Sequence, residues 1–362
     1  MPNPRNIAVV LPNWVGDAVM ATPALRAIRK HFADAKITHV GKAGPLEVLD
    51  GAGLRDAVLE DLSARKPRIL NFIRQAGRVR RGRFDLAILF PNSFRSALVC
   101  RLGKVERLAG YNRDGRGWLL DEKFSPPGDE AGRARTVAAI DYYSALAEML
   151  GAPVGSSRMS LAVSEGDALA AAKLMERAGI DPSRPVVMLN PGGSFGPSKL
   201  WPAERYAALA NMLAQRRGAQ VIINAAPGEA GTASSVVEAM ARPPALNMAR
   251  QANSLSLLKA LLARCSLLVT NDTGARHIAA ALGTDMVTIF GSTDPQRTAI
   301  DYPRERIARA DVPCSPCQKK ACPFPPGPRF HQCMTAITVQ TVFDAACELL
   351  DSAPAGLREA VT

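Results

Sequence analysis

The sequence has few aromatic residues and no long uninterrupted apolar run. Only 5% of its 362 residues are Phe, Trp or Tyr, and no stretch approaches the ~20 apolar residues of a membrane span. Asn13, Gly16 and Asp17 interrupt the first apolar run, so the N-terminus does not resemble a signal peptide. We therefore expect no membrane-spanning helix, and the cytoplasm is the expected location.

The motifs of several ligand-binding classes are also missing. There is no zinc-finger, RNP-type or basic-zipper pattern, and specific reading of nucleic acid is not expected. The glycine-rich segment 190–202 is not a Walker A loop, because Ser198 replaces the glycine before the lysine and Leu200 replaces the magnesium-binding Ser or Thr. The segment does not match G-x-G-x-x-G either, which argues against an enzyme that binds a nicotinamide cofactor.

Positive charge is concentrated in the first half of the chain. The net charge is +12; residues 1–160 contain 25 Lys and Arg against 16 Asp and Glu, whereas residues 161–362 contain 20 against 17. A basic half indicates an anionic partner: a phosphorylated lipid, a membrane surface or nucleic acid. A surface charge that serves no partner is the alternative.

Much of that charge lies in one stretch, residues 64–83, where apolar residues are interspersed. This pattern is typical of a helix that lies on a membrane surface, and equally of a solvated surface helix. Its eight basic residues are Arg65, Lys66, Arg68, Arg74, Arg78, Arg80, Arg81 and Arg83.

Short β-branched runs alternate with helix-length patterns, which predicts a parallel α/β construction. A Gly-, Pro- and Ser-rich segment at 151–165 marks a boundary between two Rossmann-like domains, 1–160 and 161–362, whose loops face a cleft. A last helix over about 339–350 could pack back toward the first domain. Strands are expected at 7–11, 37–40, 57–59, 86–90, around 107–109, and at 186–190, 220–224, 267–270 and 286–290.

Two long helices are expected in the first half, over about 16–32 and 133–150. In the second half, helices should begin near Pro202, Ala230, Ser254 and Gly274. The Pro- and Cys-rich segment 304–331 should be irregular.

Polar residues follow the first expected strand and open the first helix. Asp17 lies near that helix N-terminus, where the dipole favours its ionised form. An ionised carboxylate can act as a general base. The same position also suits an Asp that only caps the helix.

Two segments of the second half could bind phosphate. Glycines in 190–202 present backbone N–H groups, and Lys199 adds a charge. Segment 270–277 ends a strand and opens a helix, whose first amides form an anion site; Asp272 could bind a sugar hydroxyl or cap the helix, and Thr273 and His277 add further polar groups.

Four of the seven cysteines cluster late, at Cys314, Cys317, Cys322 and Cys333, spaced C-x2-C-x4-C-x10-C. Without a secretion signal, structural disulfides are not expected. Thiolates could hold zinc or an iron–sulfur cluster, but the spacing is not that of a standard zinc ribbon. The many prolines favour an ordered loop instead.

Several segments, taken together in their order along the chain, resemble the ADP-heptose:lipopolysaccharide heptosyltransferases of glycosyltransferase family 9. The resemblance covers nearly the whole chain, and segment 91–96 points to the enzymes that act on the first heptose of the inner core. The segments that carry it are 13–17, 89–98, 110–120, 191–202, and 271–274 with His277.

The resemblance implies two facing Rossmann-like domains of GT-B type, the first binding acceptor and the second ADP-sugar. It implies that Asp17 is the general base, that Lys199 and the Ser194 backbone contact the donor, and that Glu229 lies near the adenosine ribose. The donor residues that it implies are Gly193, Ser194, Lys199, Glu229, Asp272, Thr273, Gly274 and His277. The acceptor residues that it implies are Asn13, Trp14, Asn92, Ser93 and Arg95.

The implied reaction is inverting transfer of L-glycero-D-manno-heptose from ADP-heptose to the first heptose of the phosphorylated lipid A–core acceptor. No metal and no cofactor are implied, and the enzyme would be peripheral on the inner membrane. The alternatives are a family-9 enzyme with another nucleotide-sugar or acceptor, a GT-B-shaped epimerase, and a non-catalytic basic α/β protein that binds nucleic acid or membrane.

Overall fold

The computed structural model of the chain describes residues 3–128 and 136–352. The chain divides into two compact units. The first comprises the described residues up to Ala162 together with Gln296–Asp301, and the second comprises Val163–Pro295 and the described residues from Tyr302 onward. Within the described ranges, no helix is both long enough and apolar enough to cross a bilayer.

The first unit is built on a six-stranded parallel sheet with the order β3-β2-β1-β4-β5-β6. In the centre, Ile7 of β1 pairs with Ile37 of β2 on one side and with Leu86 of β4 on the other. The strands are β1 Asn6–Val10, β2 Lys36–Gly41, β3 Ala57–Glu60, β4 Leu86–Leu89, β5 Arg107–Tyr111 and β6 Glu122–Phe124. Its helices are α1 Val15–Met20, α2 Thr22–His31, α3 Ala43–Val48, α4 Arg68–Gly82, α5 Phe94–Leu102 and α6 Ala139–Met149, with a 3-10 turn at Gly117–Leu119.

The single helix predicted over 16–32 is wrong: two helices, α1 and α2, meet at Ala21. Pro23 has no N–H, so it cannot donate to the carbonyl of Val19 four residues earlier. The Thr22 hydroxyl donates to that carbonyl instead, at 2.7 Å. Of the helix predicted over 133–150, residues 133–135 lie outside the described residues, and the remainder begins only at Ala139.

The second unit repeats the design, with a six-stranded parallel sheet in the order β12-β11-β10-β7-β8-β9. Its strands are β7 Val186–Asn190, β8 Gln220–Ile223, β9 Leu246–Asn247, β10 Leu267–Asn271, β11 Met286–Phe290 and β12 Glu305–Arg309. Its helices are α7 Glu165–Arg177, α8 Ala203–Arg217, α9 Ala230–Ala239, α10 Leu255–Leu262, α11 Gly274–Leu282, α12 Gln332–Thr335 and α13 Val339–Asp351. Three 3-10 turns of this unit lie at Pro197–Lys199, Pro227–Glu229 and Met248–Arg250, and a fourth, Pro295–Thr298, falls mostly in the segment assigned to the first unit.

Apolar residues on one face of this second sheet pack with α8, α9 and α13 to form a core. Trp201, just before α8, is buried in this core, and its indole N–H donates to the Ile337 carbonyl at 3.0 Å. The last helix, α13, begins after the capping residue Thr338 and packs on α8 and on strands β10, β11 and β12. Its buried residues are Val342, Phe343, Ala346 and Leu349.

The segment predicted to be irregular, 304–331, contains the edge strand β12, so that part of the prediction is wrong. Glu305 of β12 pairs with Met286 of β11, and its carboxylate accepts two hydrogen bonds from the buried Arg276 side chain, at 2.7 and 2.9 Å. A strand with charged residues at three of its five positions shows no apolar run, which is why the pattern did not reveal it.

Candidate functional site

The switch point of the second sheet lies between β7 and β10. The chain leaves β7 for β8 on one side and returns later with β10 on the other. In open α/β sheets, loops at such a point bind ligands. The loop after β7 and the start of α11 after β10 are therefore neighbours, since Asn190 and Thr270 pair in register at the strand ends.

Lys199 and Asp272 come together at this switch point. The Lys199 ammonium donates to the Asp272 carboxylate at 2.7 Å and to the Asp272 carbonyl at 2.8 Å. Thr293 donates to the same carboxylate oxygen at 2.9 Å. Burial opposes ionisation of Asp272, but the Lys199 charge and hydrogen bond outweigh it and lower the pKa of this carboxyl. The ammonium also lies 4.9 Å from the centre of the Phe195 ring.

Three further predicted donor residues, Thr273, Gly274 and His277, lie at the start of α11. Thr273 has extended backbone dihedral angles and precedes Gly274, the first helical residue. The Thr273 hydroxyl lies 3.1 Å from that of Thr270 and accepts from Asn190 at 3.2 Å. Burial, together with the charge of Arg276, lowers the pKa of His277 to about 3. This imidazole is therefore neutral at pH 7 and can hydrogen-bond without adding charge.

A row of asparagines behind the switch point was not predicted. Asn253 donates to the side-chain oxygen of Asn224 at 3.1 Å, and Asn224 donates to that of Asn190 at 2.7 Å. Asn190 in turn donates to Thr270 and Thr273, at 2.9 and 3.2 Å. The row links the end of β7 to segments after β8 and β9 and contacts the hydroxyls of Thr270 and Thr273, just before α11.

Asn271 holds the loop after β7 directly. Its side-chain amide donates to the carbonyls of Pro191 and Gly192, both at 3.0 Å. The buried Tyr206 hydroxyl donates to the Asn271 side-chain oxygen at 3.1 Å. This side chain therefore fixes the position of the glycine-rich loop rather than facing a ligand.

Glu229 lies against the same loop. Its carboxylate accepts the Gly193 N–H at 2.8 Å. A Cβ on Gly192 would come within 2.0 Å of this carboxylate, so a larger residue there would displace the Glu229 side chain. Glu229 therefore accepts the hydrogen bond of a backbone N–H that the family resemblance assigns to the donor. The neighbouring Ser194 is exposed.

The segment that contains the four late cysteines, residues 314–333, contacts the loop that contains Lys199. The Ser198 N–H donates to the Lys320 carbonyl at 3.1 Å, and the Ser198 hydroxyl donates to the Lys319 carbonyl at 2.5 Å. A Cβ on Gly196 would come within 2.3 Å of the Lys320 carbonyl oxygen. The segment thus fixes the backbone next to Lys199.

The four late cysteines line one small cavity of about 20 Å³ together with Ser198 and His331. All are free thiols, and burial together with the other three cysteines raises the pKa of Cys333 to about 11. Among the residues that the structure describes, no group of three or more His, Cys, Asp or Glu side chains is arranged to hold a metal ion.

In the first unit, the switch point lies between β1 and β4. After β1, Trp14 precedes α1, leaves 60% of its surface exposed and makes no side-chain cap. Asn13 beside it is exposed, and Asp17 in the first turn of α1 is half-buried. Burial, helped by the Asp17 charge, raises the pKa of Tyr143, so the Asp17 carboxylate acts electrostatically on α6.

After β4, the other predicted acceptor residues lie at the same edge of the sheet. The Asn92 amide donates to the Tyr142 hydroxyl at 2.8 Å. Ser93 caps α5 by accepting the Ser96 N–H at 3.3 Å. The exposed Arg95 donates to the Ser63 carbonyl at 2.6 Å. The structure thus assigns Ser93 a capping contact, and Asn92 and Arg95 tie this loop to neighbouring segments.

Arg116 is a positioning residue that the sequence did not reveal. Its fully buried guanidinium donates to the carbonyl of Tyr111 at 3.0 Å and to that of Pro91. Burial lowers the pKa of this side chain. It therefore holds the loop after β4 against β5. A lone arginine in a polar turn gives no pattern that would distinguish it from a surface residue.

Residues 72–327 match the family described as glycosyltransferase family 9 (heptosyltransferase). The chain is 28% identical to lipopolysaccharide heptosyltransferase 2 of Salmonella typhimurium over 95% of this chain and 98% of that one. It is 23% identical to lipooligosaccharide heptosyltransferase 2 of Campylobacter jejuni, again over 95% and 98%.

Solved structures of two similar proteins have the same architecture. The E. coli ADP-heptose LPS heptosyltransferase II is 26% identical, with a TM-score of 0.76 over 95% of this chain and 98% of that one. A family 9 glycosyltransferase from Veillonella parvula is 21% identical, with a TM-score of 0.80 over 98% and 99%. The predicted fold class, two Rossmann-like units of GT-B type, is confirmed.

Proposed function

The chain belongs to glycosyltransferase family 9, and we propose that it transfers L-glycero-D-manno-heptose from ADP-heptose to the first heptose of the lipopolysaccharide inner core. The observation that carries this proposal is the pairing of Lys199 with Asp272 at the start of α11. A cation, a helix N-terminus and sugar-binding oxygens meet there, as a charged nucleotide-sugar requires.

The second unit is the proposed donor domain. Amides of the first turn of α11, the Thr273 hydroxyl and Lys199 bind the diphosphate, and they stabilise the charge that grows on it as the glycosidic bond breaks. The neutral His277 imidazole adds a hydrogen bond. Asp272 contacts sugar hydroxyls through its carboxylate. Glu229 moves from the Gly193 amide to the ribose.

The first unit is the proposed acceptor domain, with Asp17 as the general base. The acceptor hydroxyl oxygen attacks the anomeric carbon of the donor, and its proton passes to the Asp17 carboxylate. The bond between that carbon and the β-phosphate oxygen breaks, and ADP leaves with the electron pair. The configuration at the anomeric carbon is inverted. Asn13, Trp14, Asn92 and Arg95 bind the acceptor.

The acceptor is a phosphorylated lipid A–core molecule, which gives the basic first half of the chain an anionic partner. We place the enzyme at the cytoplasmic face of the inner membrane, where it binds peripherally. Positive charge on the acceptor domain raises the encounter rate with such an anionic surface.

The test is a transfer assay with purified protein, ADP-heptose and a lipid A–core acceptor that ends in one heptose. We expect a product one heptose larger and stoichiometric ADP. Other nucleotide-sugars and an acceptor without heptose serve as controls. Transfer of a different sugar would replace this proposal with that of another family 9 activity. Mass spectrometry of lipopolysaccharide from a strain that lacks the protein should show a core truncated after the first heptose.

A further inference from the structure

The first two turns of α4 expose apolar side chains that a folded protein usually buries. Ile69 leaves 80% of its surface exposed, Ile73 61% and Leu70 45%. The three residues are consecutive or one turn apart, so their side chains form one patch on the helix. Contiguous exposed apolar patches mark contact surfaces, whereas single exposed residues do not.

Basic residues surround this patch. Lys66, Arg68 and Arg74 are exposed beside it, and no acidic side chain within the described ranges pairs with any of the three. Arg65, also exposed, pairs with Glu60 at 2.5 Å. The combination of aliphatic residues with flanking cations is complementary to an anionic bilayer, in which acyl chains lie just below charged headgroups.

The rest of α4 is anchored in the first unit, so the patch lies on a fixed support. Gln75, Ala76 and Val79 are buried. Arg78 donates to the Glu60 carbonyl at 2.7 Å. The helix also packs on α5. The first buried residue of the helix is Gln75, so its first two turns contain no buried residue.

Contacts between α5 and the start of α4 connect the patch to the predicted acceptor loop. Arg95 of α5 donates to the Ser63 carbonyl, just before α4, and its guanidinium lies 6.0 Å from the centre of the Phe72 ring. Phe72 lies between the exposed residues Leu70 and Ile73 along α4. A surface that contacts the first turns of α4 therefore comes close to Arg95.

We propose that the first two turns of α4 dock on an anionic phospholipid bilayer. Ile69, Leu70 and Ile73 enter the interfacial region, while Lys66, Arg68 and Arg74 contact headgroup phosphates. This inference deepens the proposed function, on which it rests for its purpose: it brings the acceptor-binding loop to the surface that carries a lipid-linked acceptor. Docking itself requires no donor and no turnover.

The experiment is co-sedimentation of the full-length protein with vesicles that contain 30% phosphatidylglycerol, compared with vesicles of phosphatidylcholine alone. We expect binding to the anionic vesicles that weakens as salt increases. The double variant Arg68→Gln/Arg74→Gln should bind roughly thirty-fold more weakly, since each cation near such a surface contributes about 1 kcal/mol. The double variant Ile69→Ser/Ile73→Ser should bind at least about ten-fold more weakly at every salt concentration.

The matched control is Leu169→Ser, which removes an apolar side chain of 56% exposure from α7 in the second unit. It should bind like the wild type. Equal binding to both kinds of vesicle, or α4 variants that bind like the wild type, would overturn the proposal. The proposal would also be overturned if the wild type bound a short RNA and the α4 variants lost that binding while they still bound vesicles.

A transfer assay with a water-soluble, delipidated acceptor separates this inference from the proposed function. The α4 variants should retain transfer there and lose it on vesicle-borne acceptor. A protein that binds anionic vesicles through α4 but transfers no heptose would refute the proposed function alone. A protein that transfers heptose but ignores vesicles would refute the docking proposal alone.

Discussion

The Lys199 ammonium lies 2.7 Å from the Asp272 carboxylate, and the two side chains retain only 11% and 6% of their exposure. Each charge therefore depends on the other, because water does not solvate either one well. Lys199 also donates to the Asp272 carbonyl, which ties the loop after β7 to the start of α11. The pair thus connects two loops of the second unit and supplies the cation of the proposed donor site.

Replacing Lys199 alone should destabilise the protein more than removing both charges. Lys199→Met leaves the buried Asp272 carboxylate without the Lys199 cation, a loss of about 3–5 kcal/mol in the free energy of unfolding. Lys199→Met/Asp272→Asn should lose less than Lys199→Met. Urea unfolding measures both, with Arg65→Met at the exposed Arg65–Glu60 pair as a control that changes by less than about 1 kcal/mol. A double variant less stable than Lys199→Met would show that the two charges are not coupled.

Asp17→Asn should fold normally and lose transfer. If Asp17 is the general base, its amide cannot accept the proton, and kcat should fall by about 10²–10⁴-fold. If Asp17 only stabilises the start of α1, the variant should keep its turnover and melt at a lower temperature. Turnover and melting temperature thus separate the two roles that the sequence left open. Asp34→Asn, at an exposed position, is the control for a change of charge.

The central strands of both sheets could be predicted from the sequence, whereas three of the four edge strands could not. The expected strands match β1–β5, β7, β8, β10 and β11, because buried parallel strands appear as apolar runs. Three strands had no prediction: β6, β9 and β12. All three lie at sheet edges. They have two to five residues and include charged or polar ones, so a local pattern does not distinguish them from loops.

In the candidate site, likewise, the positions of residues at strand ends could be predicted, whereas the contacts between them could not. That Lys199 and Asp272 belong to loops at strand ends follows from the position of the strands. Their 2.7 Å contact joins residues that are 73 positions apart, and no local spacing reveals it. The row from Asn253 to Asn190, and the Gly193–Glu229 contact, are of the same kind. Side-chain contacts between separate loops require the fold itself.

ADP should stabilise the protein without added magnesium. The proposed diphosphate site consists of backbone amides, Thr273 and Lys199, so a metal ion is not needed to neutralise the nucleotide. At one hundred times its Kd, ADP should add about 2.7 kcal/mol, which raises the melting temperature by several degrees. Thermal unfolding in the presence of EDTA tests this, with AMP as the control that lacks a β-phosphate. Stabilisation that appears only with a divalent cation would contradict the metal-free site.

His39 should make the first unit sensitive to acid. Its side chain on β2 is 1% exposed, and neither ring nitrogen has a hydrogen-bond partner among the described residues. Burial, together with the charge of Arg55, lowers its pKa from 6.5 to about 3. The unfolded chain therefore binds a proton at a pH where the folded chain does not.

The resulting stability is fully present above pH 6.5 and is lost as the pH falls from 6.5 toward 3. Between pH 6.5 and 5 the loss due to His39 should reach up to about 2 kcal/mol, since each pH unit contributes at most ~1.4 kcal/mol. His39→Leu removes the titrating group, so urea unfolding of this variant should depend less on pH by that amount. The exposed His31, replaced by Gln, is the control. An unchanged pH dependence in His39→Leu would mean that the His39 imidazole is protonated inside the folded unit.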